Sequence, residues 1–234
     1  MKHDILYGWP FVALAAGLVG LLALFGWPRP SGSASRWRDP RWLVCLMLPV
    51  YMIHQFEEHG VDLFGRRFHF LNDLCATLHH PNVADCPADP AFIFAVNVGA
   101  VWIAGALAIL WRRRNIMVGA CAMGIPLVNT FAHCVAAVRA GHYNSGLLTA
   151  LILFVPMCAW ALVQLRHADL LDARRVVWVV VSGVAVHAVL MGSLLAHGRG
   201  LLPEAPLLVI NAVNGCIPFV VGSLIGAMGT STAR

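Results

Sequence analysis

One short run crowds imidazole and carboxylate groups together: His54-Gln-Phe-Glu57-Glu58-His59, at the end of the apolar stretch from Trp42 to Ile53. In a helix His54 lies one turn from both Glu57 and Glu58, so the three side chains project to one side. A further imidazole, His133, stands four residues after Asn129 in another apolar stretch. Two imidazoles and a carboxylate from separate segments form a mixed nitrogen and oxygen donor set. Such a set suits a first-row divalent ion, zinc or iron, with a position left for water. His54, Glu57, Glu58 and His133 are therefore the candidate ligands, and either glutamate could instead be a bridge or the general base that acts on the water. Spacing does not divide these roles. The plainer alternatives are that Glu57, Glu58 and His59 cap a helix at the headgroups, and that His133 bonds only Asn129 or a carbonyl.

The elements that carry these groups belong to a membrane protein. The 234 residues are 59% hydrophobic and 12% charged, with a mean hydropathy of +0.75, whereas a soluble domain has about a quarter of its residues charged. The apolar material comes in segments of about 20 residues, each long enough to cross a bilayer. We read about seven of them, near residues 8–27, 41–59, 90–111, 116–138, 146–165, 176–197 and 204–227. The expected fold is an all-α polytopic bundle, a single membrane-embedded domain over residues 1–234. The first stretch has no secretory cleavage pattern and reads as a retained helix, with Gly17 and Gly20 allowing close packing. Pro49, Pro126, Pro156 and Pro218 fall inside apolar segments, where proline kinks a helix and frees a carbonyl.

Charge gives the orientation. The first, third and fifth loops hold ten arginines and the others four, which puts the odd loops in the cytoplasm, the N-terminus outside and the C-terminus inside. The net charge of +5 is spread over these loops with no basic arm, so nucleic acid is not an expected partner. At 1.5 Å of rise per residue, His54 stands roughly 20 Å and His133 roughly 26 Å from the inner end of its helix. Asn97, Thr149, His187, Asn211 and Asn214 fall in the same outer layer, while the inner half is almost wholly apolar. Asn129, Thr149, His187, Asn211 and Asn214 are thus expected around the site as second-layer or cavity residues. Tyr143, in the turn Tyr143-Asn-Ser-Gly146 above His133, either closes the cavity or hydrogen-bonds a carboxylate. Among seven cysteines only Cys75 and Cys86 share a polar loop, and an outward-facing loop would permit them to pair.

Three of these motifs together resemble the HXXEE family of membrane proteins, which has no assigned biochemical function. His54-Gln-Phe-Glu57-Glu58 matches its first motif. Asn129-Thr-Phe-Ala-His133 is similar to its second, with Thr130 in place of alanine. Tyr143-Asn-Ser-Gly146 with Thr149 is similar to its third, with Ser145 in place of proline, which implies a less rigid turn. The resemblance covers about residues 42–165 and implies a shared site without naming a reaction. A weaker likeness, to intramembrane proteases that cleave prenylated proteins, lacks their arginine after the glutamate pair, since His59-Gly-Val-Asp follows Glu58.

The function expected first is a metal-dependent enzyme that acts on a lipid or other apolar small molecule reaching the outer half of the bilayer. Hydrolysis by an activated water, with Glu57 or Glu58 as base and Tyr143 assisting, is the simplest chemistry for these groups; iron-dependent oxidation would use nearly the same ligands. The alternatives are a transporter or ion-binding membrane protein built on the same Glu and His cluster, and a non-catalytic structural or sensory bundle. Short loops and small size suggest a prokaryotic inner membrane.

Overall fold

The structure is a computed structural model that describes residues 2–26, 35–80 and 82–228. The Trp27-Pro-Arg-Pro30 end of the first apolar stretch, with Arg29, lies outside the described residues. Among those described the chain is all-helical, apart from one isolated bridge between Val61 and Arg67. The helices are α1 (Lys2–Gly26), α2 (Met47–His59), α3 (Phe70–Thr77), α4 (Pro90–Trp111), α5 (Ile116–Ala140), α6 (Leu147–His167), α7 (Ala173–Gly198) and α8 (Glu204–Ala227). Six of them, all but α2 and α3, are long and apolar enough to cross a membrane.

The helix starts follow local chemistry. Asp89 Oδ1 accepts the Phe92 N–H at 2.7 Å with Pro90 in the first turn, Asn115 accepts the Met117 N–H at 3.0 Å, and Asp172 accepts the Arg175 N–H at 2.7 Å. Each side chain satisfies a donor that the helix cannot. At the other end of α1, the Arg36 guanidinium donates to the free carbonyls of Leu24 and Phe25, and the Trp42 indole donates to Leu24 O at 3.0 Å. Those bonds tie the C-terminus of α1 to the segment leading into α2.

The prolines read from the sequence each follow an irregular turn. Proline offers no N–H to the carbonyl four residues back. The chain before Pro49 accordingly tightens to a 3₁₀ turn at Val44–Leu46, so the second apolar segment is an α-turn, a 3₁₀ turn and α2 in succession. A turn at Met123 interrupts α5 three residues before Pro126. A π-helical turn, Ala150–Phe154, precedes Pro156 in α6, and a 3₁₀ turn, Asn214–Cys216, precedes Pro218 in α8. A second π-helical stretch, Ala95–Val101, lies in α4 without a proline to account for it.

Close approach between helices depends on missing side chains. Gly17 and Gly20 of α1 lie against Pro49, as the small residues of that segment led us to expect. Helices α5 and α7 cross at Gly124 and Gly183, where a Cβ on Gly183 would sit 2.1 Å from the Gly124 carbonyl oxygen. The largest apolar cluster, around Met47, Tyr51, Met123, Phe154 and Val186, fills the space between α2, α5, α6 and α7. Outside the bundle, Cys75 of α3 and Cys86 form a disulfide. Gly183→Ala is expected to destabilise by at least about 1–3 kcal/mol. The check is a lower thermal midpoint in detergent than that of Gly192→Ala, where no atom lies within 4 Å of the added carbon.

Candidate metal centre

His54 and Glu58, one turn apart on α2, meet His133 of α5 at the end of the bundle that the 60–89 loop covers. Glu58 lies between the two imidazoles, with Oε2 3.3 Å from His54 Nε2 and Oε1 3.2 Å from His133 Nε2. All three residues are buried, and one donor atom from each falls within 4.8 Å of the others. This group could hold a metal ion, and the hydrogen bonds around it test that fit. Asn144 Nδ2 donates to the His133 carbonyl at 3.0 Å, so its Oδ1 must face His133 Nδ1, at 2.6 Å. His133 Nδ1 therefore carries the hydrogen, and Nε2 turns a lone pair inward. That buried nitrogen faces Glu58 Oε1 without hydrogen-bond geometry between them, an arrangement that leaves room for a cation between imidazole and carboxylate.

His54 is fixed in the same tautomer by another route. Thr149 Oγ1 donates its hydrogen to Glu57 Oε2 and is left to accept from His54 Nδ1 at 2.8 Å. His54 Nε2 then also carries a lone pair, which accepts from the Asn129 amide at 3.1 Å. A carboxylate and a hydroxyl in series behind an imidazole is the kind of support that metal-ligating histidines have.

Glu57 stands apart from the cluster. It accepts from the Tyr143 hydroxyl at 2.6 Å, the Thr149 N–H at 2.7 Å, the Leu148 N–H at 3.2 Å and the Thr149 hydroxyl. Four donors occupy its oxygens, so its place is to hold the start of α6 and, through Thr149, His54. Burial raises the Tyr143 phenol well above its ordinary pKa, and donation to Glu57 raises it further.

Two local irregularities bring α6 onto this site. Thr149 bonds His54 Nδ1, and the Phe154 ring packs 4.4 Å from the His54 ring. Residues five apart lie about 140° apart around an α-helix. The π-helical turn between them brings both to one imidazole. Ahead of α6, Gly146 has φ +94°, and a Cβ there would sit 2.8 Å from His133 Cε1 and 3.0 Å from His54 Cε1. Only glycine combines that backbone with that approach.

The other residues expected near the site divide. Asn129, Thr149 and Tyr143 are in it. His187 bonds Gly183 O of its own helix at 2.8 Å. Asn97 accepts from Gln55 on another side of α2. Asn211 and Asn214 do not reach the cluster: their amides donate to Ser193 Oγ at 2.9 Å and Val186 O at 2.8 Å, joining α8 to α7. Shared depth placed them in the right layer, but depth carries no information about which way a helix faces.

Sequence reading underrated His59, whose Nε2 lies 2.9 Å from Glu58 Oε2 with the ring between Trp9 and Phe70. It missed Asn144 and the acids Asp62 and Asp73. Ser145 was expected to loosen its turn. Instead its N–H and hydroxyl donate to Asp73 Oδ2 at 2.9 and 3.1 Å, and the hydroxyl approaches Asp62 Oδ2 at 3.3 Å. Serine keeps the donor that proline lacks, and the turn is tied down by it.

Asp62 generates a pH prediction. Burial alone would raise its pKa, but hydrogen bonds from the Arg66 N–H and guanidinium and from the Phe64 N–H outweigh that and hold it below the usual aspartate range. A depressed folded-state pKa means a contribution that is complete above the unfolded-state value and lost as pH falls through the folded one. Thermal melts from neutral to acid pH should therefore show a loss of stability below the ordinary carboxylate range that is smaller in Asp62→Asn.

The sequence model of a family described as proteins of unknown function with an HXXEE motif matches residues 45–161. No curated protein and no solved structure matches the chain. The matched span is half of the sequence and contains His54, Glu57, Glu58, His133 and the 143–146 turn. The chain belongs to the HXXEE family.

Proposed function

We propose that this is an integral membrane metalloenzyme in which His54, Glu58 and His133 hold a zinc or iron ion. The observation that carries the reading is the convergence of two buried imidazoles, each with its Nδ1–H fixed by a neighbour, whose Nε2 atoms face the two oxygens of one buried carboxylate, His133 without hydrogen-bond geometry. An imidazole retained only to join helices would be expected to use both nitrogens. A divalent ion bound by such a set activates water and polarises a carbonyl or phosphoryl oxygen. The chain's own groups do the rest. Glu58 supplies a ligand oxygen and has a second oxygen to receive a proton. Glu57 keeps His54 in register through Thr149, and Tyr143 and Gly146 cover the site. Hydrolysis of a lipid or other apolar small molecule is the reaction this supports best, because the apolar core reaches the site through Tyr51 and Phe154 on His54 and the helices are built for a bilayer. Oxidation on iron remains the variant that the same ligands allow.

The arginine bias between loops supports a seven-span arrangement, with the interrupted 40–59 segment as the seventh, the N-terminus outside and the C-terminus inside. The Cys75–Cys86 disulfide on the 60–89 loop supports the same orientation, since disulfides persist on the oxidising side of a membrane. A prokaryotic inner membrane fits the size and the short loops.

One observation favours a second reading. The π-helical stretch Ala95–Val101 packs against the 3₁₀ turn Asn214–Cys216, with Gly215 against the Ala100 carbonyl. Interrupted helices that meet inside a bundle are a feature of ion-coupled transporters. A proteoliposome flux abolished by Glu58→Gln would favour transport over catalysis.

The deciding measurement is elemental analysis of detergent-purified protein. Near-stoichiometric zinc or iron is expected in the wild type, with loss of about tenfold or more in affinity for His54→Ala, Glu58→Ala and His133→Ala at matched folding. Folded wild type that takes up neither metal would end the metalloenzyme reading.

A further inference from the structure

The turn 143–146 is a strap laid over the cluster, and each of its residues has a separate task. Tyr143 bonds Glu57, Asn144 fixes His133, and Gly146 lies on both imidazoles. Ser145, almost completely buried, attaches the strap to the loop outside the bundle, to which Tyr143 is also tied by the Leu63 N–H at 3.2 Å. Its backbone N–H and hydroxyl both end on Asp73 Oδ2. Asp73 belongs to α3, a helix of eight residues lying outside the six long spans. A helix this short does not hold its shape alone in water. It is held by the disulfide from Cys75, two residues beyond Asp73, to Cys86, and by the packing of Phe70, Leu71 and Leu74 on the cluster of α1, α4 and α8.

We propose that Asp73 is a positioning residue for the metal centre: from a disulfide-braced helix outside the bundle it fixes Ser145, and through the neighbouring Asn144 the tautomer and direction of His133. The inference deepens the metalloenzyme reading, on which its affinity readout rests. Fixing one end of the strap matters because Asn144 meets His133 through a single amide, with Oδ1 on the ring and Nδ2 on the carbonyl. A strap that slides loses both contacts together. The His133 ring is then free to exchange tautomers, and the lone pair on Nε2 is no longer always available to a cation.

The test uses full-length protein in detergent with Asp73→Leu, which removes the acceptor, and Asp73→Asn, which keeps an acceptor oxygen. Two readouts are taken: apparent zinc affinity by chelator competition, and the His133 tautomer by ¹⁵N NMR of histidine-labelled, metal-free protein. Asp73→Leu is expected to bind zinc about tenfold more weakly and to show a mixture of tautomers at His133, with Asp73→Asn close to wild type in both. The Cys75→Ser/Cys86→Ser variant should move both readouts in the same direction by less, and it carries the test if Asp73→Leu does not fold. A His133 that keeps its single Nδ1–H tautomer in these variants overturns the proposal, as does a changed tautomer with unchanged zinc affinity. If the wild type itself binds no zinc, the metal reading fails separately, and the tautomer still decides whether Asp73 positions His133.

Discussion

A carboxylate inside an apolar bundle needs partners, and the site follows from how Glu58 obtains them. Left alone, a buried ionised carboxyl costs several kcal/mol even after relaxation. Here three imidazole nitrogens surround it, from His54 and His59 on its own helix and from His133 on α5, and they satisfy it only through a shared proton or a shared cation. Each imidazole needs support of its own, because an unpaired ring nitrogen in such a place is costly too. That requirement spreads outward in layers: Thr149 and Glu57 behind His54, Asn144 behind His133, Trp9 and Phe70 about His59. The polar network therefore joins α2, α5, α6 and the 143–146 turn, while α1 and α3 meet it through the Trp9 and Phe70 rings on His59.

The two adjacent glutamates show how little adjacency says about role. Glu57 and Glu58 differ by about 100° around α2, and that rotation separates a group among imidazole nitrogens from a group among backbone and hydroxyl donors. Glu58 faces three imidazoles. Glu57 faces two backbone N–H groups and two hydroxyls. One carboxylate is left with capacity for a cation, and the other orients Thr149 and, through it, His54.

Much of this was legible in the sequence. Composition and segment length gave an all-helical membrane protein, and a four-residue spacing put His54 and Glu58 on one side of a helix. Asn129, Thr149 and Tyr143, singled out by spacing, depth and motif, lie against His54 or Glu57. What the sequence could not provide was the azimuth of each helix. Asn211 and Asn214 lie at an expected depth yet face α7, and Asn97 faces Gln55. Nor could it provide the contacts of the 60–89 loop, since Asp62 and Asp73 read as ordinary loop acids until the fold brings them to Ser145 some 70 to 80 residues away. The prolines were read as kinks. Their effect proved more particular, because the irregular turns before them differ in kind and only the one in α6 touches the site.

That turn in α6 has a consequence for how the chain can change. Between Thr149 and Phe154 the helix holds a surplus of length, and the surplus keeps both residues on His54. Removing one residue there would leave a helix of about 30 Å, still long enough for a bilayer, and hydropathy would register almost nothing. Yet everything on one side of the deletion would rotate by about 100° relative to the other. The exposed faces of α6, where Leu151, Ile152 and Val155 lie, tolerate exchange of one apolar side chain for another. The site is thus insensitive to spelling in this helix and sensitive to its letter count, and length variation in the family's fifth apolar segment would mark the members in which the second imidazole support has been lost.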